Sequence, residues 1–181
     1  MMNSEALHKL GYGMYVVCSL LDGKYNGQIA NTLFQVTSAP LTVAVSLNRH
    51  NLTWEYVNES RLLSASVLRQ DTPFVFIGRF GFKSGRDIDK FEGVDYKVGE
   101  TGVPVVLDNA VAYLEARVTQ QLEVGTHTIF VAEVENAEVV SDEACLTYDY
   151  YHQVKRGRTP RAAATYVPSV NKGDSKPNVT M

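Results

Sequence analysis

The stretch "AVAYLEARVTQQL", Ala110 to Leu122, followed by "HTIFVAEVENAEVV", His127 to Val140, decides the fold. Both segments are long, rich in β-branched residues and alternate for part of their length, and Gly125-Thr126 between them reads as a hairpin turn. Working outward, "VPVVL" (Val103 to Leu107), "LLSASVL" (Leu62 to Leu68), "LTVAVSL" (Leu41 to Leu47) and "YVVCSL" (Tyr15 to Leu20) add four more strands. The largely apolar character of Leu41 to Leu47 predicts burial on both faces. Asp22-Gly23 is a turn signal, and "GQIAN", Gly27 to Asn31, follows as a further strand. Helices are few. Asn3 or Ser4 can cap a short one carrying Leu7 and Leu10, a second runs from about Asn51 to Asn58, and a third starts at Thr72-Pro73 and stops near Gly81. Strands do not alternate regularly with helices. The pattern therefore predicts a mainly β protein: a closed or nearly closed antiparallel barrel with peripheral helices, not a doubly wound sheet.

A chain of 181 residues suits one domain, taken as residues 1–167, with a polar, proline-containing tail over 168–181. A hydrophobic fraction of 45% supports a core of useful size. The net charge of -3 argues against a general nucleic-acid binder. No apolar run approaches the ~20 residues of a membrane span, and the N-terminus lacks a basic stretch followed by an apolar one, so no signal peptide is expected. Cys18 and Cys145 are far apart and form no CxxC pair, which fits a reducing cytoplasm, and each reads most simply as a small buried hydrophobe. His8, His50, His127 and His152 are dispersed, with no HxH or HExxH spacing, so no metal site is expected. GxGxxG, GxxxxGK[ST] and GxSxG are all absent, which removes the usual local signatures of Rossmann, P-loop and hydrolase chemistry.

Four segments carry candidate chemistry. "NGQIANTLFQVTSAP", Asn26 to Pro40, is rich in amides and hydroxyls, suited either to the edge of a polar heterocycle or to a hydrogen-bonded crossing from strand to loop. "SLNRHNLTWEY", Ser46 to Tyr56, leaves a buried strand and enters a helix. Ser46, Asn48, Asn51 and Thr53 supply donors beside free helical N–H groups, while plain capping by Asn51 or Thr53 explains the same residues. "GFKSGRDIDKF", Gly81 to Phe91, has a capping-box pattern, Ser84-x-x-Asp87, that predicts a short helix from Gly85. Its Lys83, Arg86 and Lys90 fit a single phosphate, or else a solvated charged face. His127 opens a long strand after a turn, where it faces either a ligand or water. The C-terminal "LTYDYYHQVKRGRTPRAAATYV", Leu146 to Val167, gathers Tyr148, Tyr150, Tyr151 and Tyr166 with Lys155, Arg156, Arg158 and Arg161, and reads as an interface element.

Taken together and in this order, "NGQIANTLFQVTSAPLTVAVSLNRHNLT", "GFKSGRDIDKF", "GTHTIFVAEV" and the C-terminal tyrosine segment resemble the flavin reductase-like family, in particular the group with flavoredoxin and the flavoprotein module of high-molecular-weight rubredoxin. The resemblance implies an FMN-binding split β-barrel of Greek-key antiparallel type, a homodimer with FMN near the interface, and NADH or NADPH as electron donor. It implies an oxidoreductase that passes electrons to a flavin, a small molecule or a redox protein. The alternative it leaves open is an electron-transfer flavoprotein that exchanges electrons with rubredoxin- or ferredoxin-type partners without rapid direct NAD(P)H oxidation. By the same resemblance the segment Gln28 to Gln35 lines the flavin ring, Asn31 and Thr32 foremost. Ser46, Leu47, Asn48, Asn51 and Thr53 follow the ribityl chain and phosphate, Ser84, Gly85, Arg86 and Lys90 hold the phosphate, and His127 stands on the nicotinamide side. The paired CxxC motifs of rubredoxin-fused relatives are absent from this sequence, so a rubredoxin acceptor is expected to be a separate protein.

Overall fold

The computed structural model describes residues 4–166. Asn3 and the tail expected over 168–181 lie outside the described residues. The elements are a 3₁₀ helix (Ser4–Lys9), β1 (Tyr15–Leu21), β2 (Lys24–Ala30), β3 (Leu33–Ser38), β4 (Leu41–Asn48), α1 (Leu52–Ser60), β5 (Leu62–Leu68), α2 (Phe74–Gly81), β6 (Tyr96–Val98), β7 (Pro104–Val106), β8 (Ala110–Val124), β9 (His127–Val139) and α3 (Tyr148–Gln153). Seven strands form one antiparallel sheet in the order β2-β1-β5-β8-β9-β4-β3, and β6 and β7 pair as a separate ribbon.

The edges of that sheet explain its shape. β2 and β3 lie at opposite ends of the strand order, yet only Asn31 and Thr32 join them. Three residue steps reach at most ~11 Å. The sheet must curl until its two edges meet, and the Thr32 carbonyl extends the β3–β4 ladder there by accepting from the Ser46 amide at 3.1 Å. No β2–β3 ladder closes the ring among the described residues, so the barrel stays split there. The split is also where the cleft opens.

Two cores follow from strand alternation. Val17, Val43, Val45, Leu47, Leu63, Ala65, Ala116, Val118, Phe130 and Ala132 fill the inside of the curl, with Val57 of α1. Val16 and Cys18 face the other way, onto Ile77 and Phe80 of α2, Val106, Leu146 and Tyr151. β1 is therefore apolar on both faces except at buried Ser19, because both faces are covered. In β5 the small polar pair has a purpose: Ser64 and Ser66 donate to the Pro104 and Val106 carbonyls at 2.6 and 2.7 Å, which ties the β6–β7 ribbon to the barrel. Asp22 and Gly23 both have positive φ, the type I′ geometry that a two-residue hairpin requires.

Three local expectations are corrected. The polar crossing from Leu33 to Ser38 is an edge strand with a bulge between Gln35 and Thr37; its apolar Phe34 and Val36 are exposed, so no core-facing alternation marks it. Pro73, not Thr72, caps α2, because the Thr72 hydroxyl turns back to the Arg69 carbonyl while the Pro73 carbonyl accepts the first helical bond from Ile77. No helix starts at Gly85. The Ser84 hydroxyl accepts from the Arg86 amide and closes a single turn, then Asp89 Oδ1 captures the Phe91 amide at 2.8 Å and straightens the chain. The ribbon strand β6 and helix α3 have no counterpart in the sequence-based expectation. No helix among the described residues is long and apolar enough to cross a membrane.

Candidate functional site

A cleft of about 400 Å³ runs along the split, between β2, the end of β4, the start of α1, the Ser84–Gly85 turn, and a C-terminal strap over residues 158–164. Of the residues singled out from sequence, the cleft gathers Gln28, Asn31, Thr32, Ser46, Asn48, Asn51, Thr53, Ser84, Gly85, Lys90 and His127. Three stand apart. Leu47 is fully buried in the inner core, because its neighbours in β4 point the other way. Gln35 lies on exposed β3, where its amide donates to the Thr37 carbonyl. Arg86 pairs with Glu55 of α1 and lines a second hollow, of about 450 Å³, beyond the Asn26–Gly85 wall.

β2 sets the long axis of the cleft. Asn26 and Asn31 are roughly 16 Å apart along it at the usual strand rise. At the Asn26 end, the Asn26 amide donates to Thr53 Oγ1 at 2.7 Å, and a Cβ on Gly85 would stand 2.0 Å from Asn26 Oδ1. Only glycine permits that approach. Lys90 is 5% exposed, and its ammonium donates to the Gly27 and Phe80 carbonyls at 2.8 and 3.2 Å. Burial lowers its pKa to about 8, opposed by the nearby Cys18 sulfur. The same burial pushes the Cys18 thiol up to about 12. An ammonium has three protons to donate, so one is left over from the two carbonyls.

At the opposite end, the Thr32 hydroxyl donates to the Ser46 carbonyl, and Asn48 pairs with His127 across β4 and β9. The His127 ring reaches Thr126 Oγ1 through Nδ1 at 2.9 Å, while its buried Nε2 has no hydrogen bond of good geometry and only the Ala162 backbone for a neighbour. Burial holds this imidazole below its ordinary pKa, and the Ala162 backbone acts in the opposite direction. Gln28 Oε1 is a second buried polar atom with no partner. Unpartnered buried polar atoms are uncommon in folded proteins. Two of them in one cleft mark places where a bound molecule would complete the hydrogen bonding.

The strap is built by α3. Thr147 caps the helix, the Tyr151 hydroxyl donates to the Arg158 carbonyl at 3.1 Å, and Gly157 lies against the Tyr151 ring so closely that a Cβ would overlap it. From there the chain crosses to His127 and on to Asn31, whose amide donates to Thr165 Oγ1 at 2.6 Å. Thr165 in turn donates to the Tyr148 hydroxyl, which bonds Thr159. Tyrosine-rich sequence signalled packing here, but the strap's path depends on contacts with residues more than a hundred positions away, which no local pattern encodes. Asn26, Arg158 and Arg161 also line the cleft, whereas the sequence offered Asn26 only as the start of a polar segment and the two arginines only as part of an interface element.

No Asp or Glu lines this cleft among the described residues, although the chain carries a net charge of -3. Its charged side chains are Lys90, Arg158 and Arg161. A long, narrow, carboxylate-free cleft with amide and hydroxyl donors suits an anionic ligand with a polar ring at one end. No cluster of His, Cys, Asp and Glu that could hold a metal ion occurs among the described residues.

The chain belongs to the flavin reductase-like family: residues 7–156 match the flavin reductase like domain. It is similar to a ferric-chelate reductase (NAD(P)H) of Archaeoglobus fulgidus, 51% identical over 168 residues that cover 93% of this chain and 99% of the relative. It is also similar to high molecular weight rubredoxin of Moorella thermoacetica, 48% identical over 165 residues, 91% of this chain and 72% of the relative. Among solved structures, flavoredoxin from Methanosarcina acetivorans shares the fold with a TM-score of 0.66 at 23% identity, over 71% of this chain and 69% of that one.

Proposed function

We propose that this protein is an FMN-dependent oxidoreductase that takes electrons from NADH or NADPH and passes them to a flavin, a small molecule or a redox-protein acceptor. The observation that carries the proposal is the carboxylate-free cleft with two unpartnered buried polar atoms, Gln28 Oε1 and His127 Nε2. FMN fits that donor set. Asn26, Thr53, Ser84, Gly85 and Lys90 would hold its phosphate, since they offer hydroxyls, a close backbone and one positive charge. Gln28, Asn31, Thr32, Ser46, Asn48 and Asn51 would hold the ring and the sugar alcohol chain. FMN supplies the hydride and electron chemistry when bound.

The protein's own part is binding, orientation and exclusion of water. Lys90 keeps a buried charge ready at the phosphate end, and Gln28 Oε1 is available to accept from a ring N–H. His127 is held neutral by burial, so its Nε2 can exchange hydrogen bonds with a donor molecule without adding charge. The strap closes one side of the cleft to water. No protein nucleophile is required.

The dimer belongs to the same reading. Phe34 and Val36 on edge strand β3 are 59% and 50% exposed, and Leu122 and Val124 near the hairpin tip are exposed as well. An apolar sheet edge of this kind is covered in stable proteins, and a second copy of the chain is the cover we propose. Cys18 is buried as expected while Cys145, expected to be buried, is exposed; both are free, which supports a reducing, cytoplasmic setting. The test is anaerobic mixing of the FMN-loaded protein with NADH and with NADPH. Rapid bleaching of the flavin band with either supports the proposal. Bleaching only by reduced rubredoxin or ferredoxin would favour the electron-transfer alternative, for which similarity to the rubredoxin-fused relative is the supporting observation.

A further inference from the structure

We infer that Arg158 and Arg161 on the strap form a recognition site for the phosphates of the pyridine dinucleotide donor; the inference rests on the FMN reading of the cleft. Most arginines of this chain are already engaged. Arg49, Arg69, Arg86 and Arg117 are paired with Glu123, with Asp71 and Glu143, with Glu55 and with Glu135. Arg61 donates to Gln121 and Arg79 to the Glu92 carbonyl. Arg158 and Arg161 differ: both line the cleft, both are exposed, and neither forms an ion pair among the described residues.

Their backbone is nevertheless fixed. The Tyr151 hydroxyl holds the Arg158 carbonyl, and the Thr165–Tyr148–Thr159 hydrogen bonds secure both sides of Arg161. Ordered backbone with unengaged guanidiniums is what a site for an incoming anion requires, because the side chains need not leave a carboxylate partner to bind. Position separates this site from the flavin phosphate. Thr165 of the strap reaches Asn31 and Ala162, next to Arg161, reaches His127, whereas Lys90, Ser84 and Gly85 cluster with Asn26 at the other end of β2. His127 lies beside Ala162 of the strap. A dinucleotide whose nicotinamide sits near His127 would thus have its phosphates in reach of the strap, and a guanidinium binds phosphate through two parallel N–H donors.

The experiment uses the full chain loaded with FMN. Calorimetric titration with NADP+ and NAD+ compares the wild type, Arg158→Gln/Arg161→Gln, and Arg156→Gln as a control in the same basic run but outside the cleft. We expect the double variant to bind NADP+ about tenfold or more weakly, as loss of charge-assisted hydrogen bonds predicts, with FMN retention on gel filtration and the thermal midpoint unchanged. Arg156→Gln should bind as the wild type does. Unchanged NADP+ affinity in the double variant overturns the inference, and so does absence of dinucleotide binding to the wild type. Loss of FMN from the double variant also overturns it, since the arginines would then serve the flavin. Failure of the wild type to retain FMN is a separate result that refutes the flavin reading itself.

Discussion

Replacing Lys90 with methionine tests the phosphate end of the cleft. Lys90 is buried, donates to two backbone carbonyls and has no carboxylate partner, so its charge is costly until an anion arrives. A lysine taken from its ordinary 10.5 to about 8 loses roughly 3 kcal/mol of preference for the charged form. The sign can be worked out directly. Between pH 8 and 10.5 the unfolded chain holds a proton on Lys90 that the ligand-free fold has released, so this group adds stability as pH rises through that window. FMN phosphate held at this site would reverse the preference, and binding would then take up a proton above pH 8. A hydrogen bond to a charged group contributes about 1.5–3 kcal/mol, so Lys90→Met should weaken FMN by ~10- to 100-fold while riboflavin, which lacks the phosphate, changes little. In the wild type the FMN preference over riboflavin should decline above pH 8, and in Lys90→Met it should be flat there. Flavin fluorescence quenching over pH 6–10 measures both. Equal weakening of FMN and riboflavin would refute the assignment. Arg86→Ala is the internal comparison: Arg86 is already paired with Glu55, so its removal should affect FMN much less than loss of Lys90.

Gly85→Ala places a Cβ 2.0 Å from Asn26 Oδ1 and should push Asn26 off Thr53, so FMN retention should fall while the fold, read by circular dichroism, persists. Glu115 is fully buried and accepts from Thr101, Glu100 and Asn136. Burial alone would raise its pKa, but these hydrogen bonds bring it below the ordinary 4.5. The stability it adds is present above that ordinary value and is lost as pH falls through the lowered one; Glu115→Gln should cost about 1–3 kcal/mol at pH 7 and less at pH 3 in urea unfolding. Phe34→Glu with Val36→Glu should shift the protein to monomer in analytical ultracentrifugation; an unchanged dimer would place the contact elsewhere.

What the sequence reveals depends on how local the cause is. The β8–β9 hairpin was legible because alternation and Gly125-Thr126 both lie in the chain itself. The edge strand β3 was not, since its apolar residues point outward and copy no core pattern. Lys90 could be seen as one of several cations near a possible phosphate, but its burial comes from Gly27 and Phe80, which sit on other elements. Arg86 looked equivalent to it, and only the fold shows Glu55 beside it. The role of the strap is the least local feature, fixed by Asn31 and Tyr151 rather than by its own residues.

The central claim is that the cleft holds FMN and lets it accept electrons from a nicotinamide donor. Reconstitution with FMN, gel filtration, and anaerobic stopped-flow mixing with NADH and NADPH test it in one series. The account predicts that flavin elutes with the protein and that its visible absorbance bleaches rapidly with at least one donor. Elution of protein without flavin, or bound flavin that neither donor reduces, would contradict it.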